Sequence, residues 1–127
     1  MRHAMKGKSL GMSRAHRVAV LRNMAALLIE KGRIETTVDR AKALKIFIEP
    51  LITKGKADTL SARRLVLRRM PNKDAVKRLF YHVSPTFINR AGGYTRILRT
   101  GQRKGDNASL AFIEFVDPIN EAPKERA

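Results

Sequence analysis

The side chains in this sequence that are best suited to chemistry are its cations. Lysine and arginine together number 27 against 11 aspartates and glutamates, so the formal net charge is +16. The arginine guanidinium is a planar fork of donors that fits phosphate oxygens, and a small protein with this charge repels itself unless a polyanion binds it. The residue types therefore indicate recognition of phosphates on a nucleic acid.

The cations are concentrated in two stretches of the chain. No acid precedes Glu30, whereas residues 59–105 contain 12 basic residues and one acid, Asp74. Residues 30–58 are nearly balanced in charge, with seven basic residues and five acids. We expect the fold to bring the two basic stretches together into one surface that binds a folded polynucleotide.

Other kinds of site are poorly supported. Lys6-Gly7-Lys8-Ser9 resembles the end of a phosphate loop, but the first glycine of that motif and the strand before it are missing. The three histidines lack metal-ligand spacing and cysteine is absent, so we expect neither a metal site nor a disulfide. We also expect no enzymatic activity, no cofactor and no small-molecule substrate, because no cluster of perturbable groups marks an active site.

Length and hydropathy favour one small domain. A chain of 127 residues with 43% hydrophobic residues is enough for one modest core. No apolar run approaches the roughly 20 residues of a membrane span, so no membrane partner is expected. We predict a basic N-terminal arm over residues 1–12, a single globular domain over residues 13–117 and a flexible tail over residues 118–127.

Helix boundaries are predicted from capping residues and apolar spacing. The first helix begins after Ser13 and ends before Gly32. Thr36 and Asp39 form a capping pattern for the second, which Pro50 should kink or end before the helix resumes to about residue 56.

Two further helices and three strands complete the pattern. Asp58 or Thr59 caps a third helix that ends at Arg69, and Asn72 caps a fourth. Strands are predicted over residues 33–37, 94–99 and 108–116, the last two as a hairpin around a basic loop. The order helix, strand, three helices, two strands indicates an α+β fold, a two-layer α/β arrangement with an extended basic N-terminal arm.

The third predicted helix carries the densest arginine cluster. Arg64 and Arg68 stand one turn apart beside Arg63, so their guanidinium groups can contact adjacent phosphates. A solvated helix face is the alternative interpretation.

The predicted hairpin is the other source of fixed positive charge. For Arg96 and Arg99 the alternative is packing across the strands. Arg103 and Lys104 lie at a loop tip, where burial is implausible and only a partner or solvent can contact them.

One aromatic residue is a candidate for stacking on a base. Tyr94 follows Gly92-Gly93 and stands between Arg90 and Arg96. A role in the core is the alternative for Tyr94, and it is the better interpretation for most of the other aromatic residues, which fit apolar stripes. Sequence-specific base readout has no motif in this chain, so binding should depend on phosphates and on shape.

Several short motifs of this chain occur together in one known family. The most specific is the nine-residue run from Arg90 to Leu98. The other matching stretches are Met1-Arg2-His3, Gly7, Leu10, His16-Arg17, Arg22-Asn23-Met24-Ala25, Thr36-Thr37, Ala41-Lys42, Glu49-Pro50-Leu51-Ile52, Arg63-Arg64 and Gly105-Asp106-Asn107-Ala108. Through these motifs the chain resembles the bacterial large-subunit ribosomal protein L-seventeen family over residues 1 to about 117. Because the family's own start matches Met1-Arg2-His3, the basic N-terminus is expected to belong to the mature protein.

The resemblance implies a structural protein of the large ribosomal subunit that binds the large ribosomal RNA. It also implies a position near the peptide exit tunnel, neighbouring large-subunit ribosomal proteins, a cytoplasmic location and no cofactor. Together with the charge pattern, it predicts that the following residues contact RNA: Arg2, His3, Lys6, Lys8, Arg14, His16, Arg17, Arg22, Arg63, Arg64, Arg68, Arg90, Tyr94, Arg96, Arg99, Arg103 and Lys104.

Other functions remain open on the residues alone. A freestanding nucleic-acid-binding regulator would have the same basic surface but would bind outside ribosomes. A membrane-active basic protein is less favoured, because the apolar face of the first helix is better explained by a core.

Overall fold

The computed structural model describes residues 12–119, and its first helix has the predicted ends. Helix α1 spans Arg14–Lys31. The hydroxyl of Ser13 accepts a hydrogen bond from the His16 backbone N–H at 3.3 Å. Gly32 follows with a φ of 81°, a left-handed conformation that glycine adopts without strain, and its N–H donates to the Leu28 carbonyl.

Strand β1 spans Arg33–Thr37 and leads directly into helix α2, Val38–Ala57. The capping residue of α2 is Thr37, whose hydroxyl accepts from the Arg40 N–H at 3.4 Å. The prediction of Thr36 as the cap was wrong by one position, because β1 extends through Thr37 and the helix begins only at Val38.

Helix α2 continues through Pro50. The prediction that the helix resumes after the proline, to about residue 56, is confirmed. Proline removes the donor that the carbonyl of Ile46 would otherwise accept from. Both Pro50 and Ile46 are exposed, so water can satisfy that carbonyl. The next turn keeps the helix in place because Leu51 and Ile52 are buried in the core.

Helix α3 spans Leu60–Arg69 and begins after Thr59, whose hydroxyl accepts from the Ala62 N–H at 3.0 Å. Of the two predicted caps, Thr59 is therefore the one used. Asp58 instead adopts a left-handed φ of 52° and makes the tight link between α2 and α3.

Helix α4 spans Lys73–Arg78 and has the predicted cap, Asn72. Beyond it the chain forms a π-helix over Leu79–Val83 and a short helical turn, α5, over Ser84–Thr86. The π-helix was not predicted, since apolar spacing does not distinguish one widened turn from an α-helix.

Strands β2, Thr95–Gln102, and β3, Ser109–Phe115, form the predicted antiparallel hairpin. Strand β1 pairs antiparallel with the other edge of β3, so the sheet order is β1-β3-β2. A bulge interrupts the register of β2 between Arg99 and Gly101.

The helices cover one face of this sheet. Alternate residues of β3 point to the inner face, where Ile113 is fully buried together with Leu44 and Ile48 of α2. Phe112 and Glu114 lie on the opposite face and are partly exposed. The predicted two-layer α+β fold is thereby confirmed. No helix within the described part of the chain is long and apolar enough to cross a membrane.

Candidate nucleic-acid interface

Four of the predicted RNA-contact residues belong to the arm. Arg2, His3, Lys6 and Lys8 lie outside the described residues, as does most of the predicted tail. The three-part division of the chain into arm, domain and tail therefore stays a prediction.

The outer face of α3 presents two arginines to solvent. Arg64 and Arg68 are exposed and lie one helical turn apart, while Ala62 and Val66 on the other side of the helix are buried. Within residues 12–119, neither guanidinium has an ion-pair partner. Both charges are available to adjacent phosphates.

Arg22 connects the first basic stretch of the chain to this face. Its Nε donates to the carbonyl of Arg69 at 2.8 Å, and its Nη2 lies 3.5 Å from the carbonyl of Arg68. A cation there satisfies carbonyls that the end of α3 leaves without helical partners. The two basic stretches thus meet at the C-terminus of α3, although convergence of every patch onto one surface stays a prediction.

The other predicted cations of α1 lie in its first turn. Arg14 and His16 are exposed, and Arg17 is partly buried. They follow the arm directly, so whatever binds the arm can reach them.

The outer face of the sheet has two arginines that share one carboxylate. Glu114 lies between them: Arg96 Nε is 2.9 Å from Oε1, and Arg33 Nε is 3.8 Å from Oε2. The guanidinium of Arg33 also lies 3.7 Å from the centre of the Phe112 ring, a cation–π contact. A phosphate that approaches Arg96 must compete with Glu114.

The hairpin loop has a similar internal pair. Arg103 Nη2 donates to Asp106 Oδ2 at 2.6 Å and Nε donates to Oδ1 at 3.1 Å. This bidentate hydrogen bond from Arg103, with help from the Ala108 N–H, lowers the pKa of Asp106 to about 2. Lys104 is exposed beside the pair.

Arg99 has a different environment at the N-terminus of α2. It lines an open cleft of about 630 Å³ together with Arg40, Lys42 and Asp39. The backbone N–H groups in the first turn of α2 add to the positive potential of this cleft. Arg40 and Lys42 were not predicted as contact residues, because they lie in the stretch of balanced charge and only the fold brings them to Arg99.

A row of polar residues on α2 fixes the segment before β2. Oε2 of Glu49 accepts the Thr95 N–H at 2.9 Å and the Thr95 hydroxyl at 2.8 Å. One turn later, Thr53 Oγ1 lies 2.9 Å from the Tyr94 hydroxyl, and Lys56 Nζ donates to the Arg90 carbonyl. These contacts set the direction in which the hairpin leaves the core.

The predicted stacking role of Tyr94 was wrong. The side chain is 1% exposed, and its ring lies 5.3 Å from that of Phe87 in the core. Its hydroxyl is satisfied by Thr53, so the buried position carries no penalty for an unpaired polar group. The alternative role in the core is the one that the fold shows. Arg90 is exposed and lies 3.6 Å from Asp117.

The described residues were also compared with the requirements of a metal site. No group of three histidine, aspartate or glutamate residues within the described segment is arranged to hold a metal ion.

Comparisons with known proteins agree with the resemblance found in the sequence. The family model described as "Ribosomal protein L17" matches residues 20–116. A relative from Bacteroides thetaiotaomicron, "Large ribosomal subunit protein bL17", is 52% identical over 126 residues, covering 99% of this chain and 77% of the relative. The protein of the same name from Porphyromonas gingivalis is 55% identical over 117 residues, covering 92% and 73%. One from Salinibacter ruber is 50% identical over 123 residues, covering 97% and 62%. With an α+β fold, a basic surface and half of its residues identical to theirs, this chain belongs to the ribosomal protein L17 family.

Proposed function

We propose that this protein is a structural component of the large ribosomal subunit and binds the large ribosomal RNA through arginine and lysine contacts to phosphates. The names of the relatives support the ribosomal part of the proposal. The observation that carries the RNA-binding part is the exposed face of α3, where Arg64 and Arg68 have no acidic partner in the described segment.

The mode of binding follows from the kind of side chains on this surface. Exposed guanidinium groups on a rigid helix neutralise phosphates and fix orientation but do not read base sequence. The protein would hold neighbouring RNA segments in one arrangement by lowering their mutual repulsion. This is a structural role, and catalysis plays no part in it.

The family resemblance adds finer points to the proposal. It supports a place on the solvent side of the cytoplasmic large subunit, near the peptide exit tunnel, with other ribosomal proteins as neighbours. It also supports RNA contacts from the arm, through Arg2, His3, Lys6 and Lys8.

A salt titration tests the RNA contacts. The purified full chain is bound to protein-free large ribosomal RNA between 50 and 200 mM salt. With about six to ten phosphate contacts, the affinity should fall by roughly 10³–10⁵ over this range, by analogy with duplex DNA. An affinity that does not change with salt would contradict phosphate recognition.

Sedimentation tests the ribosomal role separately. The chain should remain with the large ribosomal particle in a stoichiometric amount after a high-salt wash. If it binds RNA with the expected salt dependence but does not sediment with the particle, a freestanding regulator becomes the better assignment.

A further inference from the structure

A groove of about 310 Å³ between α3 and the α4–π-helix segment combines an apolar floor with a cationic rim. Leu67, Val76 and Phe80 form the floor. The remaining lining residues are Arg63, Lys73, Lys77 and Tyr81, and none of the residues lining the groove is acidic. The groove lies outside the contacts considered so far, except for Arg63.

Arg63 is held in place at the edge of this groove. Its Nη2 donates to Asp58 Oδ1 at 3.0 Å, so the guanidinium has one orientation set by the α2–α3 link. The guanidinium carbon lies 5.2 Å from the Phe80 ring centre and 5.6 Å from that of Tyr81. A planar guanidinium restrained in this way is a surface on which a nucleobase can stack.

Both aromatic residues near Arg63 belong to the π-helix. Phe80 and Tyr81 are consecutive in it, with Phe80 buried and Tyr81 partly exposed. Single π-turns of this kind occur often at functional sites.

We propose that the groove binds one unpaired nucleobase of the ribosomal RNA, with the phosphates on either side of that base on Lys73 and Lys77. This inference rests on the proposed function and names what one part of the surface binds. A base has a flat apolar face that can pack on Leu67 and Tyr81. The phosphates of the RNA backbone carry the negative charge that can pair with the exposed lysines of the rim. An apolar protein segment would fill the floor but leave the rim without counter-charge.

Replacement of the partly exposed Tyr81 side chain is the principal test of the proposal. Stacking of a base on an aromatic side chain contributes enough that Tyr81→Ala should weaken binding to protein-free large ribosomal RNA about tenfold. The slope of log affinity against log salt should not change, because no charge is removed. Tyr81→Phe keeps the ring and should bind as the parent does.

Lys77, which lines the groove, is compared with Lys54, which serves as its control. Lys77→Ala removes a rim charge and should lower the salt slope by about one. Lys54→Ala removes an exposed lysine of α2 that does not line the groove, and it should leave the effect of Tyr81→Ala unchanged when the two are combined.

Direct crosslinking covers the case in which Tyr81→Ala does not fold. The parent protein bound to the large ribosomal RNA is irradiated with ultraviolet light, and adducts are located by mass spectrometry. An adduct between a nucleobase and residues 79–83 supports the proposal, and the absence of one there overturns it.

The outcomes distinguish this inference from the proposed function. If Tyr81→Ala folds and binds RNA as tightly as the parent, the nucleobase site is wrong while the salt-dependent binding of the parent still supports the proposed function. If Tyr81→Ala keeps its RNA affinity but leaves the large particle more easily, the groove binds a protein neighbour and the inference is overturned. If the parent itself does not bind the RNA, the proposed function is wrong.

Discussion

The outer face of α3 and the outer face of the sheet have similar numbers of arginines but differ in what surrounds them. On α3, Arg64 and Arg68 meet no carboxylate among the described residues. On the sheet, Glu114 lies between Arg33 and Arg96 and is itself largely covered, with 16% of its side chain exposed. The same residue type is therefore available on one face and partly neutralised on the other.

This difference shows why net charge overestimates the number of phosphate contacts. Arg63, Arg90, Arg96 and Arg103 each lie beside a carboxylate, and Arg22 donates to backbone carbonyls instead. Each must exchange an existing partner for a phosphate. We expect the unpaired arginines to contribute most of the affinity and the paired ones to adjust it.

Removal of the unpaired arginines should have the largest effect. Hydrogen bonds to charged groups contribute about 1.5–3 kcal/mol each, so Arg64→Ala combined with Arg68→Ala should weaken RNA binding by about a hundredfold or more. The salt slope should fall by about two in a filter-binding titration.

The paired face supplies the control for that experiment. Arg96→Ala removes the same type of side chain but also releases Glu114 from its partner. Its loss of affinity should be several times smaller than that of Arg64→Ala or Arg68→Ala alone. Equal losses on the two faces would show that the existing ion pairs do not matter for binding.

Neutralisation of Glu114 should leave the arginines of the sheet without an acidic partner, as those of α3 are. Glu114→Gln frees Arg33 and Arg96, whose side chains are 50% and 53% exposed, and a surface ion pair of such arginines is worth at most about 1 kcal/mol, so the RNA affinity should rise by up to about fivefold. Binding is measured at the same salt as for the parent.

Glu35→Gln is the matched variant for this gain. Glu35 lies on the same face of the sheet and accepts a hydrogen bond from Thr100, so its replacement changes the net charge equally without freeing either arginine. If it raises the affinity as much as Glu114→Gln does, the gain comes from net charge and the comparison of the two faces is wrong.

The smallest expected effect concerns the ion pair between Arg103 and Asp106 in the hairpin loop. The carboxyl group of Asp106 should titrate at about pH 2 in an NMR experiment, and Arg103→Ala should raise its pKa toward the ordinary value of 3.8. Because the pKa is depressed in the folded protein, the stabilisation is present above about pH 4 and is lost as the pH falls toward 2. An unchanged pKa in the variant would exclude the pairing.

Features set by neighbouring residues could be predicted from the sequence. The ends of α1 and the cap of α4 depend on Ser13, Gly32 and Asn72, which act within one turn of their own position. The hairpin and the α+β class were predicted from sequence patterns that likewise extend over only a few neighbouring residues. The N-terminal cap of α2 was predicted one residue early, because the extended backbone of β1 continues to Thr37 before the helix begins.

Features that depend on register could not be predicted. Glu114 is distant in sequence from Arg33, and only the β1–β3 pairing places the two opposite each other. The burial of Tyr94 depends in the same way on Thr53 and Phe87, which the sequence does not identify as neighbours. Charge counting could therefore find the basic face of α3 but could not separate free arginines from paired ones.

The carboxylate of Glu49 has a consequence for the thermodynamics of association. By holding the backbone and hydroxyl of Thr95, it immobilises the entrance to β2 inside the folded chain itself. The conformational entropy of that segment is lost when the protein folds and is not lost again when a partner arrives. A partner that contacts the base of the hairpin would therefore not need to order Thr95 on binding.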